Sequence, residues 1–169
     1  MKWILLVAAM LAAPIALILL VGAMLPRAHV VSRSASFHQP PEQVWAVVTG
    51  PPDWRPDISK FEQLRGDNSL RRWRETDKRG QTITYEGSEQ SIVQNQVTVK
   101  RFTSRITDKN LPFGGTWTID VAPQGAGTLV TVTENGEVFN PVFRFVSRFI
   151  MGHSATIDAY LKALKTKLA

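Results

Sequence analysis

The sequence predicts an α+β fold: a meander of antiparallel strands laid against a long C-terminal helix, preceded by one N-terminal membrane helix. Three observations carry this. Trp3 to Leu25 holds no charged side chain. Ile58 to Val138 breaks into short alternating segments separated by turn residues. Pro141 to Leu168 repeats apolar residues at helical spacing.

The elements follow in chain order. A helix rises about 1.5 Å per residue, so Trp3 to Leu25 is roughly 33 Å long, enough to cross a hydrocarbon core of about 30 Å. This divides the chain into an anchor, residues 1–26, and a domain, residues 27–169. A cleaved signal peptide is the rival reading, with small residues at Val21-Gly22-Ala23. The apolar run exceeds the usual signal core of about 7–15 residues, which favours the anchor. Pro14 falls mid-run, and membrane helices tolerate it. Lys2 on one side and Arg27 and Arg33 on the other barely separate the two orientations. The net charge of +6 weights the domain weakly toward the cytoplasmic face.

Val30 to Phe37 is an extended stretch. Pro40-Pro41-Glu42 opens a helix, with proline suited to a first turn and the carboxylate to the positive end of the dipole. Val44, Trp45, Val47 and Val48 form its apolar face, and Gly50-Pro51-Pro52 stops it. Asp53 to Asp57 is expected as a short helical turn. Five or six strands then follow, with turns at Gly66-Asp67-Asn68, Lys78-Arg79-Gly80, Gln94-Asn95, Gly114-Gly115 and Gln124 to Gly127. Sequential strands with short turns imply an antiparallel meander. At 100° per residue the last segment is one continuous amphipathic helix. Val142, Val146, Phe149, Ile150, His153, Thr156, Ile157, Tyr160, Leu164 and Leu168 share a face; Arg144, Arg148, Asp158, Lys162 and Lys165 lie opposite.

Composition excludes several chemistries. With no cysteine, disulfides, thiolate metal sites and cysteine nucleophiles are ruled out. His29, His38 and His153 show no ligand spacing, so neither a metal nor another cofactor is expected. No G-x-S-x-G, H-E-x-x-H or G-x-x-x-x-G-K-[ST] motif occurs. Gly125-Ala126-Gly127 sits in a strand turn. Ser154 points about 100° from His153 and is no partner for it. Nucleic acid is a usual partner of positive charge, but the tether argues against it. Anionic lipid headgroups fit the charge better. Arg71, Arg72, Arg74, Lys78 and Arg79 form one basic run, and Lys100, Arg101 and Arg105 a second. They read as a solvated outer face or a membrane-facing patch.

The element order resembles the START-like superfamily with its helix-grip (Bet v 1-like) fold, and within it the polyketide cyclase/dehydrase-like (SRPBCC) branch. The resemblance rests on Ser34-Ala35-Ser36-Phe37 with Pro40 to Trp45, on Trp54-Arg55-Pro56-Asp57, and on Thr131 to Glu137 followed by the long helix. It covers nearly everything after Arg27 and implies a sheet curled around the C-terminal helix, with a cavity between them for an apolar ligand.

His153 falls near the centre of the helix's apolar face. It is a core histidine bonded to a neighbour, a polar anchor for a ligand, or a general acid/base. Glu134 shares strand parity with Val130 and Val132, so it either faces inward toward His153 or flares into solvent. Tyr85 is a cavity hydroxyl or a half-buried sheet tyrosine. Trp54, Phe113, Trp117, Phe143, Phe149, Ile157 and Tyr160 are cavity, rim or core residues. Phe113-Gly114-Gly115 and the loop from Gly50 to Pro56 are candidate lids. The leading functional expectation is membrane-tethered, non-catalytic binding of an apolar small molecule or lipid. The alternatives are a cyclase or dehydratase using His153 with Glu134 or Tyr85, and an interaction module without ligand.

Overall fold

A computed structural model describes residues 2–67 and 70–169, with the side chains of residues 4–9, 11, 66 and 67 outside the description. The expected turn at Gly66-Asp67-Asn68 lies partly outside it. Helix α1 spans Lys2–Met24, β1 Ala28–Phe37 and α2 Pro41–Thr49. The meander is β2 Ile58–Asp67, β3 Leu70–Asp77, β4 Thr82–Gln94, β5 Val97–Ile106, β6 Phe113–Gln124 and β7 Gly127–Val138. Then come α3 Pro141–Val146, a wide π-type turn Ser147–Met151, and α4 Ala155–Lys167.

The strands form one antiparallel sheet ordered β1-β7-β6-β5-β4-β3-β2. The six meander strands pair with their sequence neighbours, and β1 closes the far edge by pairing with β7. Ser32 and Ser34 meet Thr133 and Thr131 across that edge, at 2.9 and 2.8 Å between hydroxyls. At the β4–β5 hairpin, Asn95 and Gln96 both adopt positive φ, 51° and 64°, which matches the twist a two-residue hairpin needs. Asp53 to Asp57 forms turns closed by Arg55 N–H to Pro52 O and Ile58 N–H to Arg55 O, rather than a helix.

The core lies between the sheet's inner face and helices α2 and α4. Val44 of α2, Val121 of β6, Val130 and Val132 of β7, and Ile157 and Leu164 of α4 are at 0% exposure. Inner-face side chains alternate along the strands, so Trp117, Ile119 and Val121 line up on β6. The basic runs lie largely in ion pairs. Arg72 and Arg105 share Glu86, Arg74 meets Glu62, Arg71 meets Glu89, and Arg101 grips Asp120 through two bonds of 2.6 and 2.7 Å.

The C-terminal segment departs from the sequence expectation: it is not one continuous helix. Asn140 caps α3, its side chain accepting from the Val142 and Phe143 amides. The helix then widens to the π-type turn and stops at Gly152, where φ is +77°. Glycine adopts that conformation at no steric cost, and α4 starts afresh at Ala155. The face expected to be buried therefore splits. Ile157, Tyr160, Leu161 and Leu164 enter the core, whereas Phe149 and Ile150 point outward. Arg144, expected on the polar face, is buried. It donates to the carbonyls of Leu25 at 2.8 Å, Ala23 at 3.3 Å and Phe139 at 3.4 Å. This places a cation at the negative end of the α1 dipole.

Among the described residues, no helix is long and apolar enough to cross a membrane. Because side chains 4–9 and 11 lie outside that set, the membrane reading of Trp3 to Leu25 rests on the sequence.

Candidate functional site

Where the sheet curls away from α4, it leaves a cavity of about 610 Å³. The residues that build it come from α2, β1 to β7, α3, the π-type turn and α4, together with the loop near Trp54; Phe113-Gly114-Gly115, expected as a turn, opens β6 instead. Its walls are aromatic and aliphatic: Trp54, Phe61, Trp73, Tyr85, Phe102, Phe113, Trp117, Phe143 and Tyr160, with Val48, Ile58, Ile83, Ile106 and Ile119. Tyr160 is the hub of one wall, packed edge-on by Trp54 at 5.2 Å and by Trp117 at 5.6 Å. Trp73 stacks on Tyr85 at 5.5 Å.

Polar side chains also line it, among them Thr49, Arg71, Arg79, Gln81, Ser104 and Glu137, and two polar clusters stand out. The first surrounds Glu75, which is buried although charged. Strand parity turns Trp73 and Glu75 to the same inner face of β3. Glu75 accepts from Trp73 Nε1 at 3.0 Å and from Arg55 Nη1 at 2.9 Å. Arg55 also donates to Asp57 Oδ2 at 2.6 Å. Burial, the largest single influence on Arg55, works against its charge, but Glu75 and Asp57 outweigh it and hold the pKa above the ordinary value. Arg55 lies 6.0 Å from the Tyr160 ring centroid. Burial pushes the phenols of Tyr85 and Tyr160 well above their ordinary range, so both remain neutral O–H groups. Trp54 Nε1 is buried and finds no hydrogen-bond partner among the described residues.

The second polar cluster joins β1, β7 and the turn that precedes α4. His29 and His153 stack with centroids 4.1 Å apart and planes 24° apart. His29 Nε2 lies 3.4 Å from Glu134 Oε1. Gly136, directly across from His29 in the β1–β7 register, leaves the space its imidazole occupies. Burial first, then His29 and Arg148, hold the His153 pKa below the ordinary 6.5. The consequence for stability has a definite sign. As pH falls below about 6.5 the unfolded chain takes up a proton that native His153 resists, so stability declines until the depressed native pKa is passed. The melting temperature should fall on acidification through this window, and His153→Asn should remove that part of the decline. An identical pH profile in the variant would contradict the assignment.

The residues singled out from the sequence divide clearly. Trp54, Tyr85, Phe113, Trp117, Glu134, His153 and Tyr160 all line the cavity. Ile157 is a fully buried core residue, and Phe149 is 58% exposed on the outer side of the π-type turn. Glu134 faces inward, but His29 stands beside it and stacks on His153. Sequence reasoning missed His29, Arg55 and Glu75. Strand parity on β1 and β3 holds the signal for His29 and Glu75, since each shares the face of neighbouring inward residues. Among the described residues, no cluster of three or more histidines and carboxylates is arranged to hold a metal.

No curated protein matches the chain. Solved structures share its fold at low identity. A START superfamily protein from Mycobacterium smegmatis is 19% identical, with TM-score 0.60 over 83% of this chain and 97% of its own. A hypothetical protein of Helicobacter pylori is 10% identical, with TM-score 0.63 over 83% and 88%. Norcoclaurine synthase from Thalictrum flavum is 16% identical, with TM-score 0.56 over 83% and 86%. A family model matches residues 28–169, covering the sheet, the cavity and α4. The chain therefore belongs to the family described as polyketide cyclase/dehydrase and lipid transport.

Proposed function

We propose that this protein is a membrane-tethered binder of an apolar small molecule, lipid or isoprenoid-like, that carries one or two polar groups. The observation that carries the reading is the cavity of about 610 Å³, walled largely by aromatic and aliphatic side chains, with polar clusters at Arg55–Glu75 and at His29–His153. Pockets of about 300–1,000 Å³ with few polar anchors are the usual form of a small-molecule site. Arg55 is matched by Glu75 and Asp57, so a neutral ligand group suits that end better than a free anion. The Trp54 indole N–H and the tyrosine hydroxyls offer hydrogen bonds to such a group. The tether is Trp3 to Leu25, with the basic domain on the cytoplasmic side, where anionic headgroups attract its lysines and arginines. A volume this large argues against a domain filled by its own aromatics.

A second reading is favoured by one observation, the His29–His153 stack beside Glu134. It is acid–base catalysis of cyclase or dehydratase type. A reaction rate whose acid limb is lost in His153→Ala would support it.

Ser104 tests the binding reading. It lines the cavity from β5, opposite Trp117 in register. Ser104→Phe should project a ring into empty volume. The saturable component of N-phenylnaphthylamine binding by full-length protein in nanodiscs should weaken by about tenfold, equivalent to about 1.4 kcal/mol. The melting temperature should move little. Unchanged affinity would argue that the probe, and the proposed ligand, sit elsewhere.

A further inference from the structure

We propose that α3 and the π-type turn lie in the membrane interface beside α1, so that the mouth of the cavity opens toward lipid rather than water. This rests on the reading of α1 as an anchor.

Three observations converge. The first is exposure. Ile150 is 70% exposed, Met151 64%, Phe149 58% and Phe143 49%, all within one short segment. Scattered apolar side chains on a surface are ordinary, but a contiguous group of this size marks an interaction site. The second is location. Phe143 and Met151 line the cavity as well as standing exposed, so the apolar cluster forms part of its rim. The third is continuity with α1. Gly22 sits so close to the Pro141 carbonyl that any Cβ there would collide with it. Arg144 ties the two segments together through the carbonyls of Ala23 and Leu25. The surface is thus fixed beside the end of the apolar helix. Wherever that end meets the bilayer, the rim meets it too.

The chemistry suits a lipid boundary. Apolar side chains with a basic neighbour are the pattern of elements lying in the plane of a membrane surface. Arg148 is exposed within the same turn and supplies that charge. A ligand crossing between bilayer and cavity would then pass along Phe143 and Met151 without entering bulk water.

The absence of native cysteine makes the test clean. Single cysteines at Phe149→Cys and Ile150→Cys would carry an environment-sensitive label. Val93→Cys, exposed on β4, serves as the aqueous control, and Leu17→Cys in α1 as the control for the tether. Each full-length variant is reconstituted in phosphatidylcholine–phosphatidylglycerol vesicles with nitroxide-bearing lipid or aqueous iodide. Labels at 149 and 150 should be quenched by the lipid nitroxide at least about threefold more than at 93, and protected from iodide. Iodide quenching at 149 and 150 equal to that at 93, with residue 17 still quenched from lipid, would overturn the interfacial rim and leave the anchor standing. Protection from both quenchers would overturn it in favour of a second protein copy on this surface. A residue 17 label insensitive to lipid would remove the tether itself, and the rim with it.

Discussion

Glu75→Leu should destabilise the domain by about 3 kcal/mol, a large share of the stability of a chain this size. The residue looks expendable by charge and is not. Its carboxylate, itself buried, accepts from Arg55 and from the Trp73 indole in the cavity wall. Removing it leaves a half-buried cation with only Asp57, and a buried N–H with no acceptor. Both costs are paid in the native state. Glu75→Gln retains an acceptor for Trp73 but not the charge, and should fall between Leu and wild type. The measurement is chemical denaturation of the three proteins under one condition. A Leu variant within about 0.5 kcal/mol of wild type would show that water or chain relaxation satisfies Arg55.

The second large effect separates the two halves of the C-terminal segment. Leu164→Ala should cost about 2–5 kcal/mol, because Leu164 has no exposed surface and packs in the core with Val130, Val132 and Ile157. Phe149→Ala removes a larger side chain, yet should cost less than about 1 kcal/mol, because that ring is more exposed than buried. A single continuous helix, as the amphipathic spacing suggests, would make both substitutions severe. Comparable losses at 149 and 164 would therefore contradict the break at Gly152.

That break shows where the sequence was legible and where it was not. Period-two alternation marked the strands well, because the inner face of each must be apolar and the outer need not be. Pro40-Pro41-Glu42 and Gly50 bracketed α2 because proline and glycine act locally. The helical period after Pro141 was real but misled, since it records spacing and not what lies opposite each face. Phe149 and Ile150 satisfy the period and face away from the core. Gly152 was the available sign: a helix interior disfavours glycine by about 1 kcal/mol, and here it takes positive φ. Arg144 was misplaced for a related reason. Its partners are carbonyls at the end of α1, more than a hundred residues away in sequence.

The cavity was partly legible. Parity and the superfamily resemblance pointed to most of the aromatics, though not to the outward turn of Phe149, and left Glu134 open between cavity and solvent. The pairing of His29 with His153 was not legible, because it depends on β1 lying beside β7, a closure set by the whole sheet. Arg55 and Glu75 were hidden for a similar reason. Each looks like a surface charge until the loop before β2 folds back over β3.

The most direct test of the account is native mass spectrometry, with lipid identification, of full-length protein extracted gently from its own membrane. The expected result is one apolar molecule per chain, carrying a neutral polar group, that survives extraction and is lost in Ser104→Phe. A chain that is empty, or that retains the same lipids equally in the Ser104→Phe variant, would contradict it.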